Sequence, residues 1–152
     1  MKFATPRAVC FALLTLGLIF SIQPLHAADA KVHRVAIQVD SKDPAVMNLA
    51  LNNAANVARD FSGRGQQVEI QIVAYGPGLH MLRDDTSPVK ARLKSMSESM
   101  PNLTFDACAN TRRGMQKAEG KDIPLVPQAK VVPSGVVHLV ELQEAGWSYI
   151  RP

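Results

Sequence analysis

The chain is short of the residues that usually announce a chemistry. Aromatic residues make up 5 % of its 152 residues, with a single Trp, so there are few flat surfaces on which bases could stack. There is no cluster of Lys and Arg with interleaved aromatics, which leaves nucleic-acid binding without its usual electrostatic footprint. The three histidines beyond residue 30, His33, His80 and His138, are scattered and show no metal-ligand spacing, and no metal is expected. No G-x-S-x-G elbow occurs, and no Ser-His-Asp set stands out. The one glycine-rich stretch, Gly76-Pro77-Gly78, fits neither a dinucleotide fingerprint nor a phosphate-binding loop, so no cofactor is expected. Repeats and low-complexity tracts are absent as well.

Cysteine is the most informative scarcity. There are two, Cys10 and Cys108. Cys10 lies in an N-terminal stretch with a recognisable layout: Lys2 and Arg7, then an apolar run from Ala8 to Phe20, then a more polar segment ending in small residues at Ala27-Ala28. That is the order of a secretory signal peptide. A run of 13 residues is short for a spanning helix, which needs roughly 20. Residues 1–27 are therefore expected to be removed, Cys10 with them, leaving no membrane anchor and a periplasmic protein. The remaining residues, 28–152, form a single domain of 125 residues, long enough for a real core. They carry 15 basic and 13 acidic residues, a net charge of +2.

Exported proteins live in an oxidising compartment, where structural cysteines come in pairs. A leftover thiol is a reactive group, an intermolecular partner or a small buried hydrophobe. Its surroundings bear on the choice. His33–Val39 is rich in β-branched residues and reads as a strand. Asp43 and Pro44 suit the cap and first turn of a helix over Ala45–Phe61, whose Val46, Leu49, Ala50, Val57 and Phe61 fall near one face. Asn53 interrupts that face and reads as a structural anchor. Gln67–Tyr75 is a second strand, followed by a turn at Gly76-Pro77-Gly78. A helix over Val89–Met100 leads to a third strand, Leu103–Ala107, that ends at Cys108. Asn110 or Thr111 can cap the next helix, to about Ala118. Ala129–Val132 is a short fourth strand, Ser134 caps a helix over Gly135–Ala145, and Trp147–Ile150 is a last strand.

Strands and helices thus alternate, which implies an α/β sandwich: a mainly parallel sheet of about five strands with helices on both faces. Ligands in such folds sit beyond the carboxyl ends of the strands. Cys108 meets that condition, as do Asp40-Ser41 and the segment Tyr75–Gly78. A thiolate at a helix N-terminus faces unpaired N–H groups and the positive end of the dipole, and Arg112 and Arg113 lie one turn further on. The influence of Asp106, two residues before Cys108, depends on whether the strand stays regular between them. A reactive thiol and an inert core residue both remain open on position alone.

The runs "HRVAIQVDSKDPAVMNLALNNAANV", "VEIQIVAYGPGLHML", "FDACANT" and "VVPSGVVHLVELQEAGWSYIRP" resemble the DsrE/DsrF-like family over nearly all of residues 28–152. The resemblance implies a flavodoxin-like three-layer domain that assembles into trimers or hexamers. It also implies sulfur carried as a persulfide on one cysteine, matched here by Cys108, with a sulfur donor or acceptor protein as partner. Asn110, Thr111, Arg112 and Arg113, with Tyr75, Gly76 and Gly78, are the supporting residues it points to. The spacing from Cys108 to Arg112-Arg113-Gly114 is shorter than in the relay subunits, and an export signal separates the chain from their usual cytoplasmic partners. The alternatives are a non-catalytic oligomeric scaffold with an inert Cys108 and, third, a flavin- or nucleotide-binding enzyme.

Overall fold

The computed structural model describes residues 1, 2 and 31–152. The expected signal segment, with Cys10 and the cleavage sites near Ala27, lies outside the described residues. The chain order is β1 (His33–Val39), α1 (Pro44–Gly63), β2 (Val68–Ala74), a 3-10 helix (Gly76–Leu82), α2 (Lys90–Ser99), β3 (Leu103–Cys108), α3 (Ala109–Glu119), β4 (Ala129–Val132), α4 (Gly135–Glu144) and β5 (Ser148–Ile150). The five strands form one sheet in the order β4-β3-β2-β1-β5, and every pairing is parallel. This is the three-layer, flavodoxin-like α/β arrangement.

The strand alternation divides the interior in two. Val35, Ile37, Val39, Ile70, Ile72, Ala74, Leu103, Phe105 and Ala107 point to one face. They bury against Met47, Ala50, Leu51 and Ala54 of α1, the 3-10 helix and Leu93 and Met96 of α2. The opposite face holds a smaller cluster, in which Ala36 and Val73 meet Leu139 and Leu142 of α4. Side chains two apart in a strand share a face, so Asp106 and Cys108 lie on the α4 side of the sheet.

Local chemistry explains most boundaries. Asp43 Oδ1 accepts the Ala45 N–H at 2.8 Å, with Pro44 in the first helical position, where a missing donor costs nothing. Ser134 caps α4 by accepting the Val137 N–H. Gly146, at φ +83°, turns the chain out of α4 in a conformation only glycine adopts freely.

Three expectations are corrected. The inward stripe of α1 is Met47-Ala50-Leu51-Ala54, and Leu49 is exposed. Of the expected face, Ala50 is buried and Val57 and Phe61 pack against the core, so the inward face is shifted toward Met47, Leu51 and Ala54 rather than replaced. Asn53 is half-buried, and the asparagines that tie α1 to α2 are its neighbours: Arg92 donates to Asn48 Oδ1 at 2.5 Å and to Asn52 Oδ1 at 2.9 Å. Gly76-Pro77-Gly78 does not form a bare turn but opens a buried 3-10 helix. Gly78 lies so close to the backbone of β1 that an added Cβ would fall 2.1 Å from the Val39 carbonyl oxygen.

Candidate functional site

Because the strands are all parallel, Val39, Ala74 and Cys108 end at the same edge of the sheet, and the loops that follow meet there. The strand β3 stays regular to Cys108, which is the N-cap of α3. Sequence reasoning placed this cap at Asn110 or Thr111. Sulfur takes the place instead: the Thr111 N–H donates to Cys108 Sγ at 3.4 Å.

A second helix begins at the same point. Gly135, the first residue of α4, packs against the Cys108 side chain. A Cβ on Gly135 would lie 3.2 Å from Cys108 Cβ and 2.9 Å from Tyr75 Cβ. The absence of a side chain brings the amino end of α4 onto the thiol. Two helix N-termini therefore converge on one sulfur, and each presents backbone N–H groups with a partial positive charge.

The electrostatics follow from this packing. Burial opposes ionisation of the Cys108 thiol. The Thr111 hydroxyl and the N–H groups of Gly135, Thr111 and Asn110 outweigh burial together, and the thiol is held below its ordinary value. Of these N–H groups only that of Thr111 meets the geometry of a full hydrogen bond. The Thr111 hydroxyl oxygen also accepts the Gly76 N–H at 2.9 Å, which links the loop after β2 to the start of α3.

The remaining expected residues separate into two groups. Tyr75, Gly76, Gly78, Asn110 and Thr111 lie around this edge, but neither glycine offers a free N–H: that of Gly76 is bound to Thr111, and that of Gly78 donates to the Tyr75 carbonyl at 3.0 Å. Arg112 and Arg113 face elsewhere. Arg112 donates to the Ile123 carbonyl at 2.8 Å and to Asp122 Oδ1 at 3.2 Å, while Arg113 donates to the side chain of Asn110. Neither guanidinium is hydrogen-bonded to the thiol. The Thr111 hydroxyl and the backbone N–H groups at the two helix ends are what lower the thiol.

Sequence reasoning missed a polar chain on the β1–β5 side of the sheet. Tyr149 donates to Gln38 Oε1, Gln38 Nε2 donates to Asp40 Oδ2 at 2.8 Å, and Arg151 donates to the same oxygen at 3.2 Å. Burial pushes the Tyr75 hydroxyl above its ordinary range; Asp40 and Tyr149 add to this and Arg151 opposes it. The residue types of "GWSYIRP" carried the signal, but only the β1–β5 pairing shows their partners.

An open concavity of about 1010 Å³ lies at the other edge of the sheet. Gln67, Glu69, Asn102, Thr104 and Trp147 are among its lining residues, and Cys108 is not.

Residues 33–152 match the model of the DsrE/DsrF-like family. A solved protein of unknown function from Methanobacterium thermoautotrophicum is 35 % identical, with a TM-score of 0.67, over 79 % of this chain and 99 % of that one. A comparison with curated proteins found no match.

Proposed function

The chain belongs to the DsrE/DsrF-like family, and from that premise we propose that it is an exported sulfur carrier whose Cys108 holds sulfur as a persulfide. The observation that carries this reading is the convergence of two helix N-termini on Cys108 Sγ, which favours the thiolate. In the first step the Cys108 thiolate attacks the outer sulfur of a donor persulfide. A new S–S bond forms on Cys108, the donor S–S bond breaks, and the donor leaves as a thiolate. In the second step an acceptor thiolate attacks the outer sulfur and Cys108 departs as a thiolate. Electrons balance within each exchange, so no separate oxidant is required. Loss of residues 1–27 would leave no second thiol in the chain, so donor and acceptor are other molecules.

The reading includes processing near Ala27, a periplasmic location and assembly into a trimer or hexamer. Mass spectrometry of protein isolated from its own compartment without reductant tests it. The expected result is a chain lacking residues 1–27 with one added sulfur on the peptide containing Cys108. A membrane-retained chain with Cys10 present, or a Cys108 that never gains sulfur from a persulfide donor, would overturn the corresponding part.

One observation favours a second reading, an oligomeric scaffold in which Cys108 is packing: the residue is only 4 % exposed. An exchange reaction needs the sulfur to be reached, so this reading forecasts no alkylation without denaturant.

A further inference from the structure

Asp106 is 1 % exposed, and its Oδ2 has no hydrogen-bond partner among the described residues. A bare carboxylate in such a place carries a large desolvation cost. The group facing it is His138 of α4, whose Nε2 lies 3.6 Å from that oxygen and 2.8 Å from Gln71 Oε1. His138 is three residues after Gly135, and Asp106 is two residues before Cys108 on the same face of β3. The pair therefore bridges the same two elements whose ends meet at the thiol.

We infer that Asp106 and His138 form a charge-balanced pair, holding one proton between them, that tunes and positions the Cys108 thiolate. Burial pushes the Asp106 carboxyl above its ordinary value, and the charges of His138 and Lys130 act against this. Either distribution of the proton, imidazolium with carboxylate or imidazole with carboxylic acid, leaves the pair without net charge. The other charged groups are few. Lys130 of β4 is the register neighbour of Asp106 and is exposed; Val73 is its neighbour on β2. Glu141 of α4 is 3.9 Å from His138 Nδ1 and mostly exposed. On β1 and β2 the only charges on this face, Arg34 and Glu69, pair with each other.

The Gln71–His138 hydrogen bond alone would pin α4 to the sheet, so a buried carboxylate is unnecessary as a fastener and costs stability. Its charge has an effect an amide would lack. Strand geometry sets Asp106 about 6.6 Å from Cys108 along β3, close enough for an unbalanced carboxylate to disfavour the thiolate. Balanced by His138, it leaves the backbone N–H groups unopposed.

The inference rests on Cys108 being the reacting thiol, and the experiment separates the two. Iodoacetamide alkylation of native protein is followed against pH for the wild type, Asp106→Asn, His138→Gln and the double variant, with thiolate ultraviolet absorbance as a second readout. At about pH 6.5, Asp106→Asn should react faster and His138→Gln slower, each by on the order of three- to tenfold, and the double variant should resemble Asp106→Asn. His138→Asn serves if His138→Gln fails to fold. A purely structural role would move both single variants in the same direction or neither, and either result overturns the inference while the carrier reading stands. Wild-type Cys108 that reacts only in denaturant overturns both.

Discussion

The Thr111 backbone N–H points at Cys108 Sγ from 3.4 Å, and it does so because Cys108 ends β3 and caps α3 at once. The Thr111 side chain completes the arrangement by accepting the Gly76 N–H at 2.9 Å. Replacing Thr111 by Val removes the hydroxyl while leaving the N–H in place. The Gly76 donor then loses its acceptor and the thiolate loses one of its stabilising groups. Alkylation of native Thr111→Val below pH 7 should slow by roughly three- to tenfold, and Thr111→Ser should restore most of the rate. Equal rates in all three proteins would show that the hydroxyl has no bearing on the sulfur.

A second prediction concerns Arg83, which is 1 % exposed yet charged. Its guanidinium donates to both oxygens of Asp85, at 2.9 and 2.8 Å, and to Glu119 of α3. Hydrogen bonding to Arg83 holds the Asp85 carboxyl far below the usual carboxylate range and lowers that of Glu119. Depressed folded-state values stabilise the protein above the unfolded carboxylate range near pH 4, and that contribution is lost as pH falls through the folded values. Arg83→Met should therefore cost on the order of 2 kcal/mol at pH 7, less than a fully buried pair because both carboxylates keep some solvent contact. The difference from wild type should shrink toward pH 2. Urea unfolding at the two pH values measures it, and a difference that does not depend on pH would assign the loss to packing alone.

Much of this fold was legible in the sequence because its signals are local. The β-branched runs, Asp43-Pro44, Ser134 and Gly146 act on the backbone beside them, and each strand and α-helix stands within a residue or two of its expected place, while the 3-10 helix at Gly76–Leu82 was not foreseen. The site was legible only in position. Regular strand geometry to Cys108 put Asp106 on the thiol's face, which the sequence left open. The close approach of Gly135 to Cys108, the withdrawal of Arg112 to Asp122 and the pairing of His138 with Asp106 depend on how α3 and α4 cross the sheet. Those contacts join residues far apart in the chain, and no periodicity encodes them. Arg83 escaped notice for a related reason: its partner Glu119 is 36 positions away.

The third prediction addresses assembly. Val136, Val137 and Val140 expose an apolar strip on the outer side of α4, the one helix on its face of the sheet among the described residues. Val131 on the edge strand β4 is also exposed. Contiguous apolar surface of this kind marks an interface. Light scattering of the processed protein at micromolar concentration should give a trimer or hexamer, and Val137→Glu or Val140→Glu should shift it toward monomer with little change in its circular dichroism. A monomeric wild type, or an assembly indifferent to both charges, would place the contact elsewhere or remove it.

The last prediction asks why position 108 is cysteine. The N-cap of a helix favours Ser, Thr, Asp and Asn, whose oxygens accept the N–H of the second or third helical residue. Cys108 occupies that position and accepts the Thr111 N–H through sulfur, a weaker acceptor. If the residue were packing alone, Cys108→Ser would bury a hydroxyl in an apolar site and lower stability. The site is not apolar on its α3 and α4 sides, where backbone N–H groups converge. Cys108→Ser should therefore be neutral or up to about 1 kcal/mol more stable than wild type, while Cys108→Ala should be less stable by about 1 kcal/mol because it leaves the Thr111 N–H without an acceptor. Neither variant should accept sulfur from a persulfide donor. Urea denaturation of the three proteins, with persulfide loading measured on the same samples, decides the matter. A serine variant as stable as wild type but unable to carry sulfur would mean that the thiol is kept for its chemistry. A serine variant destabilised as much as the alanine would return Cys108 to the core.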